Sequence, residues 1–244
     1  MKLREIPNRL LALIGLKLSR LSEKKVDGGL GFVSVCERLR HRGLEIETVI
    51  DVGASNGCWS KKLMPFFPRA YFFLIEANRH HEPELLAFKK NHPSSDYALA
   101  VAGDKVGEVF FDKSDPFCGV ASHTKSEKFN TRLRCVTIDD EVAKRKLKGP
   151  YLLKLDTHGF EVPIFEGADK TLKKTNLIFV ETYNFDIEET SLRFWEMCQY
   201  LYERGFRPID LCEPMHRPAD EAFWQIDILF VRNDREEFKS NNYD

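Results

Sequence analysis

Short apolar runs and helical patterns alternate along most of this 244-residue chain. The apolar runs are nearly continuous, as expected of strands buried on both faces of a parallel sheet. They are TVIDVG, AYFFLIEA, DYALAVAG, YLLKLD and NLIFVETY. The last two runs, FRPIDLCE and FWQIDILFVRN, follow each other with a short connection and no helix between them. The pattern predicts one α/β domain with a mostly parallel sheet, helices on both faces and an antiparallel hairpin at one edge.

The segments between the strands predict helices over CWSKKLMPFF, EVPIFEGADKTL and EETSLRFWEMCQYLYERG. Residues 106–138 break this alternation, because EVFFD and RLRCVTID predict an antiparallel β-hairpin inserted after the third strand. We expect three regions along the chain. They are an N-terminal helical segment (residues 1–42) packed on or flanking the core, the α/β domain (residues 43–234), and a polar tail (residues 235–244).

A stripe of apolar side chains follows one face of a predicted helix near the N-terminus. It comprises Leu3, Leu10, Ile14, Leu18 and Leu21, and its borders carry Lys17, Arg20, Lys24 and Lys25. Two interpretations stay open: this amphipathic helix packs on the body of the protein, or it rests on an anionic membrane surface. No apolar run reaches the roughly 18 residues of a membrane span, and no small-residue cleavage site follows. We therefore expect a cytoplasmic protein, with any membrane contact peripheral and at the inner face.

The bulk composition narrows the class of partner. A formal net charge of -1 gives no general attraction to nucleic acid, so we expect a small-molecule or glycan substrate and no nucleic acid. The six cysteines are scattered without a C-x-x-C pair, and His80, His81 and His92 lack further ligands at metal spacing. The sequence thus predicts free thiols, surface histidines and no metal site, and it leaves the oligomeric state open.

Carboxylates stand at the ends of four predicted strands, where ligands of open parallel sheets collect. They are Asp51, Glu76, Asp156 and Glu181. After the first of them, residues 53–57 form a glycine turn that lets a ligand approach the backbone and leads into a helix N-terminus. Glu76 lies 19 residues beyond Gly57 and can accept the hydroxyls of a ribose. This spacing alone fits a dinucleotide and a nucleoside cofactor equally.

Asp51 favours the nucleoside. A dinucleotide would bring pyrophosphate to the turn, and two like charges ~4 Å apart cost about 4 kcal/mol at an effective dielectric of ~20. S-adenosylmethionine instead carries an ammonium and a sulfonium group, which acidic side chains attract. The third glycine of G-x-G-x-x-G is also missing. The residues therefore favour a site for S-adenosyl-L-methionine over a dehydrogenase site.

The successive motifs VIDVGASNGCWS, FFLIEAN, VAGDKVGEVFF, LLKLDTHGFEVPIFEGA and LIFVETY resemble those of the FkbM-type S-adenosylmethionine-dependent methyltransferases. The resemblance runs from about residue 48 to residue 183. It implies the class I methyltransferase fold, a Rossmann-like, seven-stranded, mostly parallel sheet with an antiparallel last strand. It also implies O-methylation of a hydroxyl on a sugar, glycan or natural product.

The resemblance assigns cofactor-binding residues by their positions in the motifs. It places the methionine side of the cofactor at the turn formed by Asp51, Gly53, Ala54, Ser55, Asn56 and Gly57. It places the ribose at Glu76 with Ala77 beside it, and the adenine near Val101 and Ala102. Asp156, Gly159, Glu161 and Glu181 match the later acidic block. The chain departs from the family at one point, since His158 stands where Asp-x-Glu-Gly has its glutamate.

Transfer of a methyl group to a hydroxyl also needs a group that accepts the hydroxyl proton. We expect His158 or Asp156 to be this general base, because histidine titrates near neutrality. The alternative is that His158 caps the helix that begins near Phe160. Glu161 and Glu166 are interpreted as complements to a helix dipole. Candidate substrate-binding residues are Glu181, Tyr183, Asn184, His123 in FCGVASHTKS (a lid, a substrate wall or a flexible loop) and His216 in MHRPAD.

Two other functions stay open at this stage. The same fold could methylate nitrogen or carbon on a nucleotide-linked sugar. The chain could also be a non-catalytic module that binds S-adenosylmethionine, because the histidine departure lies in the family's acidic block.

Overall fold

The computed structural model of the chain describes residues 28–115 and 117–243. The predicted leucine-striped helix at residues 3–21 lies outside the described residues, so both interpretations of it stay predictions. Every helix within the described residues is too short or too polar to cross a membrane.

The helices and strands alternate as the apolar pattern predicts. The helices are α1 (Phe32–His41), α2 (Cys58–Leu63), α3 (Glu82–Asn91), α4 (Ile138–Arg145), α5 (Glu161–Glu166), α6 (Asp169–Leu172) and α7 (Phe194–Tyr202), with short 3-10 turns at Arg79–His81 and Glu236–Phe238. The strands are β1 (Thr48–Val52), β2 (Tyr71–Glu76), β3 (Ser95–Leu99), β4 (Val101–Ala102), β5 (Gly107–Asp112), β6 (Val120–Ser122), β7 (Thr131–Val136), β8 (Tyr151–Leu155), β9 (Thr175–Tyr183), β10 (Phe206–His216) and β11 (Phe223–Arg232).

The central sheet has the strand order β10-β11-β9-β8-β1-β2-β3 among the described residues. Strands β1, β2, β3, β8 and β9 are parallel, and β11 runs antiparallel to both β9 and β10. This confirms the predicted seven-stranded, mostly parallel sheet with an antiparallel last strand. Because the parallel strands end at the same edge, their carboxyl ends meet around one cleft.

The predicted insertion is larger than a hairpin. The apolar run DYALAVAG, predicted as one strand, is divided at Ala100 between β3 in the central sheet and β4 in a second sheet. The second sheet has the order β4-β7-β5-β6, in which β5 pairs antiparallel with both β6 and β7. The hairpin prediction holds for β5 and β7 but missed β6 and the switch of sheet at Ala100.

Helix α2 ends at Leu63, before Pro65, and two further predicted helices are also shorter than their patterns. The pattern over residues 161–172 splits into α5 and α6 at Gly167, where an added Cβ would lie 2.0 Å from the Gly103 carbonyl oxygen. The pattern over residues 188–205 yields a helix only from Phe194 onwards. The Glu196 carboxylate accepts the Arg193 amide at 2.9 Å and caps that helix start. In both cases a local contact, which periodicity does not register, sets the boundary.

Both faces of the central sheet are covered by apolar side chains. Phe73, Leu153 and Phe230 lie in the core on one face, whereas Phe72 and Phe179 lie in the core on the other. Helix α1 packs on the second face through Phe32, whose ring lies 5.9 Å from that of Trp59.

One ion pair is buried inside this apolar sheet. Asp51 on β1 and Lys154 on β8 are register partners in neighbouring strands. The Lys154 Nζ lies 3.1 Å from the Asp51 Oδ1, and the two residues are 3% and 0% exposed. The Lys154 Nζ also donates to the Gly53 carbonyl oxygen at 3.0 Å, and the Ser60 hydroxyl donates to the Asp51 Oδ2 at 2.6 Å. Burial lowers the Lys154 pKa, but the carboxylates of Asp51 and Asp156 outweigh it and raise that pKa, so the lysine stays charged.

Replacing this lysine should destabilise the fold through the charge that is left behind. We expect Lys154→Met to lower the free energy of unfolding by about 3–5 kcal/mol, because Asp51 then stays buried without its cation. The double variant Asp51→Asn/Lys154→Met should recover most of that loss. Urea unfolding at neutral pH measures both, with the exposed Lys62→Met as the control that should change stability by less than about 0.5 kcal/mol. Equal losses in the single and double variants would contradict the paired-charge explanation.

Candidate functional site

A cleft opens at the carboxyl edge of the central sheet, between the ends of β1, β2 and β8. Its volume is about 630 Å³ including the open space at its mouth. The sequence-predicted residues that line it are Gly53, Ser55, Glu76, Ala77, Val101, Ala102, Asp156 and His158. Phe117, Gly119 and Ala121 of the insertion form part of its wall.

The turn after β1 approaches the end of β8 very closely. Gly53 has φ +72°, and an added Cβ would lie 1.9 Å from the Asp156 carbonyl oxygen. Ser55, two residues on, also has a left-handed backbone with φ +48°. Only a residue without a side chain fits at position 53, and this close approach places the turn and Asp156 at the same point of the cleft.

Glu76 at the end of β2 is held by the backbone of its surroundings. Its Oε2 accepts the Ser55 amide at 2.7 Å, and its Oε1 accepts the Asn78 amide at 2.6 Å. Burial raises the pKa of Glu76, and the two amide hydrogen bonds oppose that rise. The carboxylate therefore has a fixed position on the cleft wall, which is what a ligand of ribose hydroxyls requires.

The prediction of surface histidines is wrong for His81. It is 2% exposed, its Nε2 lies 3.3 Å from the Ser55 hydroxyl oxygen, and its ring packs 5.1 Å from that of Phe117. His81 thus supports the turn from behind. The doublet His80-His81 gave no sign of this, because one of the two neighbours points inwards and the other outwards.

Four of the predicted cofactor residues do not line the cleft. Asp51 is fully buried against Lys154, while Ala54, Asn56 and Gly57 belong to the turn but do not contribute to the cleft lining. The electrostatic argument from Asp51 therefore needs correction, since Lys154 neutralises that carboxylate. The negative charge that faces the cleft comes from Glu76 and Asp156 instead.

A compact group of polar side chains lies where β8 and β9 end, and two of its members, Asp156 and His158, line the cleft. The His158 Nδ1 lies 2.8 Å from the Tyr183 hydroxyl oxygen, 3.3 Å from the Glu181 Oε2 and 3.8 Å from the Asp156 Oδ1. The Tyr183 hydroxyl donates to Glu181, and the amide of Gln225 on β11 donates to the other oxygen of Glu181. The structure thus brings together four residues that the sequence predicted as catalytic or substrate-binding.

Glu161 holds the loop that carries His158. His158 has φ +52°, and its neighbours are tied down because the Glu161 Oε1 accepts the Gly159 amide and the Thr157 hydroxyl, both at 3.0 Å. The interpretation of Glu161 as a complement to a helix dipole alone is therefore incomplete. The alternative that His158 caps α5 is wrong, because the helix starts after Phe160 without a side-chain cap.

The pKa values in this group bear on the predicted general base. Burial lowers the pKa of His158, but the hydrogen bond to Glu181 and the charges of Asp156 and Glu181 outweigh it and raise the pKa to about 9. Burial raises the pKa of Asp156, but the charges of Lys154 and His158 outweigh it and lower that pKa. At neutral pH the imidazole therefore carries a proton and the carboxylate is a weak base. Neither side chain has the near-neutral pKa that suits a general base.

The remaining predicted substrate residues lie further out. The Asn184 side chain donates to the Phe223 carbonyl oxygen at 3.1 Å and ties β9 to β11. His123 pairs with Asp104, with 3.2 Å between Nε2 and Oδ1, and it does not line the cleft although Phe117 and Gly119 of the same segment do. The ring of His216 lies at the far edge strand, 6.2 Å from that of Phe223.

A family model described as "Methyltransferase FkbM domain" matches residues 51–208 of this chain. That range includes the turn, Glu76 and the whole Asp156–Glu181 region. A search of curated proteins found no significant sequence match.

Several solved structures are similar to this chain. Fibrillarin, a pre-rRNA processing protein of Methanococcus jannaschii, has a TM-score of 0.49 and 13% identity, over 78% of this chain and 67% of that one. The precorrin-6y C5,15-methyltransferase of Geobacter metallireducens GS-15 has a TM-score of 0.46 and 12% identity, over 82% and 86%. The N-methyltransferase NodS of Bradyrhizobium japonicum WM9 has a TM-score of 0.46 and 10% identity, over 82% and 93%. Likenesses this distant concern the fold and say nothing of the acceptor.

The close approach at Gly53 predicts a large effect of a single methyl group. In Gly53→Ala, the strain of the left-handed backbone lowers the free energy of unfolding. We expect a further loss of about 1–3 kcal/mol, because the ends of β1 and β8 must separate to make room for the methyl group. Gly43→Ala is the matched control, since Gly43 has φ +61° and no atom within 4 Å of the added Cβ. It should cost only about 1–2 kcal/mol. Urea unfolding of both variants tests this, and equal losses would show that the approach to Asp156 is unimportant.

Proposed function

Because the chain belongs to the FkbM methyltransferase family, we propose that it transfers the methyl group of S-adenosylmethionine to a hydroxyl of a sugar, glycan or similarly polyhydroxylated natural product. The family and the fold imply S-adenosylmethionine as the methyl donor. Two points go beyond what the family implies: that the acceptor atom is oxygen, and that the acceptor is a polyhydroxylated molecule.

The residues at the β1 and β2 ends fit this donor. Glu76 offers a fixed carboxylate for the ribose hydroxyls, and Val101 and Ala102 offer small apolar side chains for the adenine. Asp156 supplies negative charge for the sulfonium, which is the part of the donor that makes the methyl group reactive. The backbone at Gly53 leaves room for the methionine portion.

The observation that carries the acceptor proposal is an aromatic surface beside the polar group. The ring of Trp224 lies 6.0 Å from the ring of Tyr183 in an edge arrangement and stacks at 5.1 Å on Phe185. All three residues lie at the carboxyl end of β9 or opposite it on β11. A sugar ring has an apolar C–H face and a rim of hydroxyls, so it matches an aromatic surface next to the carboxylate of Glu181. The near-neutral charge of the chain also supports such an acceptor over nucleic acid.

The residues of this chain contribute to few steps of this reaction. The acceptor oxygen attacks the methyl carbon, the carbon–sulfur bond breaks and its electron pair stays on sulfur. The protein aligns the two partners and keeps water away. The proton of the acceptor hydroxyl passes to solvent, because His158 already carries a proton at neutral pH and Asp156 is a weak base.

The experiment that tests this function is a panel of acceptors incubated with the full chain and S-adenosylmethionine. We expect S-adenosylhomocysteine to form with a saccharide or another polyhydroxylated acceptor and an O-methyl ether to appear in the product. Trp224→Ala should raise KM for that acceptor roughly fivefold, as expected from about 1 kcal/mol of aromatic contact. The control is Tyr202→Ala, which removes an exposed aromatic side chain at the far end of α7. Turnover restricted to amine acceptors would contradict the proposal, as would no turnover with any acceptor.

A separate prediction concerns the donor. Glu76→Gln should weaken binding of S-adenosylmethionine by about 10–100-fold, because charge-assisted hydrogen bonds contribute about 1.5–3 kcal/mol. Calorimetric titration measures the Kd, and Glu108→Gln is the control, since Glu108 is an exposed carboxylate on β5 away from the cleft. Unchanged affinity in Glu76→Gln would show that this carboxylate does not hold the donor.

A further inference from the structure

The geometry points to a divalent metal site formed by Asp156, His158 and Glu181, on the acceptor side of the cleft. The three residues each offer a ligand atom, and these atoms lie within 4.8 Å of one another. The role of the metal rests on the proposed function, whereas its binding does not. Spacing along the chain could not predict this site, because its ligands come from the ends of two different strands.

The separations between the ligand atoms suit one small cation. Metal–ligand distances of about 2.0–2.2 Å and right-angle coordination put neighbouring ligand atoms roughly 3 Å apart. The His158 Nδ1 lies 3.3 Å from the Glu181 Oε2 and 3.8 Å from the Asp156 Oδ1. Small side-chain rotations would therefore bring all three atoms onto one face of a metal ion.

The contacts that the three side chains make on the side away from the metal position are an independent observation in favour of the site. Histidines that bind metals usually donate their other ring N–H to a carbonyl or carboxylate, and ligating carboxylates are themselves held in place. The His158 Nε2 lies 3.4 Å from the Phe117 carbonyl oxygen, a partner that can only accept, so Nε2 carries hydrogen and Nδ1 faces the carboxylates. A bound metal would displace the Nδ1 proton. Gln225 holds the other oxygen of Glu181, and the Lys154 Nζ lies 3.4 Å from the Asp156 Oδ2. Each proposed ligand thus has a partner outside the metal position.

The charges around the site favour a cation. The Lys154 ammonium is shared between Asp51, at 3.1 Å, and Asp156, at 3.4 Å, so the three carboxylates of Asp51, Asp156 and Glu181 outnumber the two cationic side chains of Lys154 and His158. Asp227, the register partner of Glu181 on β11, adds a third carboxyl group near the site. A divalent ion would offset the charge of both ligating carboxylates.

The position of Tyr183 indicates where the open side of the metal lies. Its hydroxyl lies between His158 and Glu181 and contacts both. With a metal bound to these two ligands, the hydroxyl would turn towards a metal-bound water or the acceptor. Two carboxylates and one imidazole form a mixed set of oxygen and nitrogen ligands, to which Mn²⁺ binds well. Ca²⁺ prefers oxygen ligands alone and soft metals prefer sulfur, so both bind this set less tightly.

The metal would act on the acceptor hydroxyl. Coordination lowers the pKa of a bound hydroxyl group, so the oxygen can lose its proton to solvent before or as it attacks the methyl carbon. The carbon–sulfur bond breaks, sulfur keeps the electron pair, and the new carbon–oxygen bond leaves a neutral ether. No oxidant or reductant is needed.

The test is a titration of the full chain, freed of metals by a chelator, with Mn²⁺ followed by electron paramagnetic resonance. We expect one Mn²⁺ per chain in the wild type. Asp156→Asn, His158→Gln and Glu181→Gln should each weaken binding by more than about 100-fold, which is the upper end of the effect of losing an outer partner. Thermal unfolding checks that each variant is folded.

Glu213→Gln is the matched control. Glu213 is exposed and, with Cys212 and Asp227, forms the other group of potential ligands within the described residues. It should leave Mn²⁺ binding unchanged. The proposal is overturned if the wild type binds no Mn²⁺, if the three ligand variants bind it as tightly as the wild type, or if Glu213→Gln alone abolishes binding.

Methyl transfer measured with and without the chelator separates this proposal from the proposed function. Mn²⁺ binding lost in the ligand variants, in a chain that methylates no hydroxyl acceptor, would support the metal site and overturn the proposed function. Full hydroxyl methylation in the chelator, with no Mn²⁺ bound, would support the proposed function and overturn the metal site.

Discussion

The buried ion pair between Asp51 and Lys154 fixes the relation between β1 and β8, and the site depends on that relation. Lys154 also contacts the Gly53 carbonyl and Asp156, so one ammonium group connects the glycine turn, the strand interior and the mouth of the cleft. The close backbone approach at Gly53 follows from the same strand pairing. A carboxylate that looks like a ligand from the sequence is therefore part of the scaffold that positions the real ligands.

The cleft has two chemically different ends as a result. The end at β1 and β2 is set by backbone amides and small apolar residues, which fix Glu76. The end at β8 and β9 is set by side-chain contacts among Asp156, His158, Glu181 and Tyr183. The first end suits a donor of constant shape. The second is a charged, hydrogen-bonded group next to aromatic rings, and it is where the identity of the acceptor is decided.

Sequence reasoning recovered the fold because buried parallel strands leave a strong apolar pattern. It also located the strand ends, which is why Glu76, Asp156 and His158 were found. It missed Lys154 as the partner of Asp51, since pairing between β1 and β8 joins residues about a hundred positions apart. It missed the burial of His81, which contacts Ser55 across the fold, and the hold of Glu161 on the His158 loop, which rests on local side-chain hydrogen bonds. The periodic pattern of apolar residues does not reveal hydrogen bonds across the fold, nor the local contacts that end α5 and start α7.

The division of the chain at Ala100 has a consequence for how this fold can vary. The β4 to β7 unit leaves the central sheet at that residue, returns through α4 to β8, and contributes Phe117, Gly119 and Ala121 to the cleft. That part of the wall therefore lies outside the central sheet. Loops between β5 and β7 could be lengthened, exchanged or grafted from another enzyme while the register of the main strands stays intact, so new specificities could arise there without rebuilding the half that holds the donor.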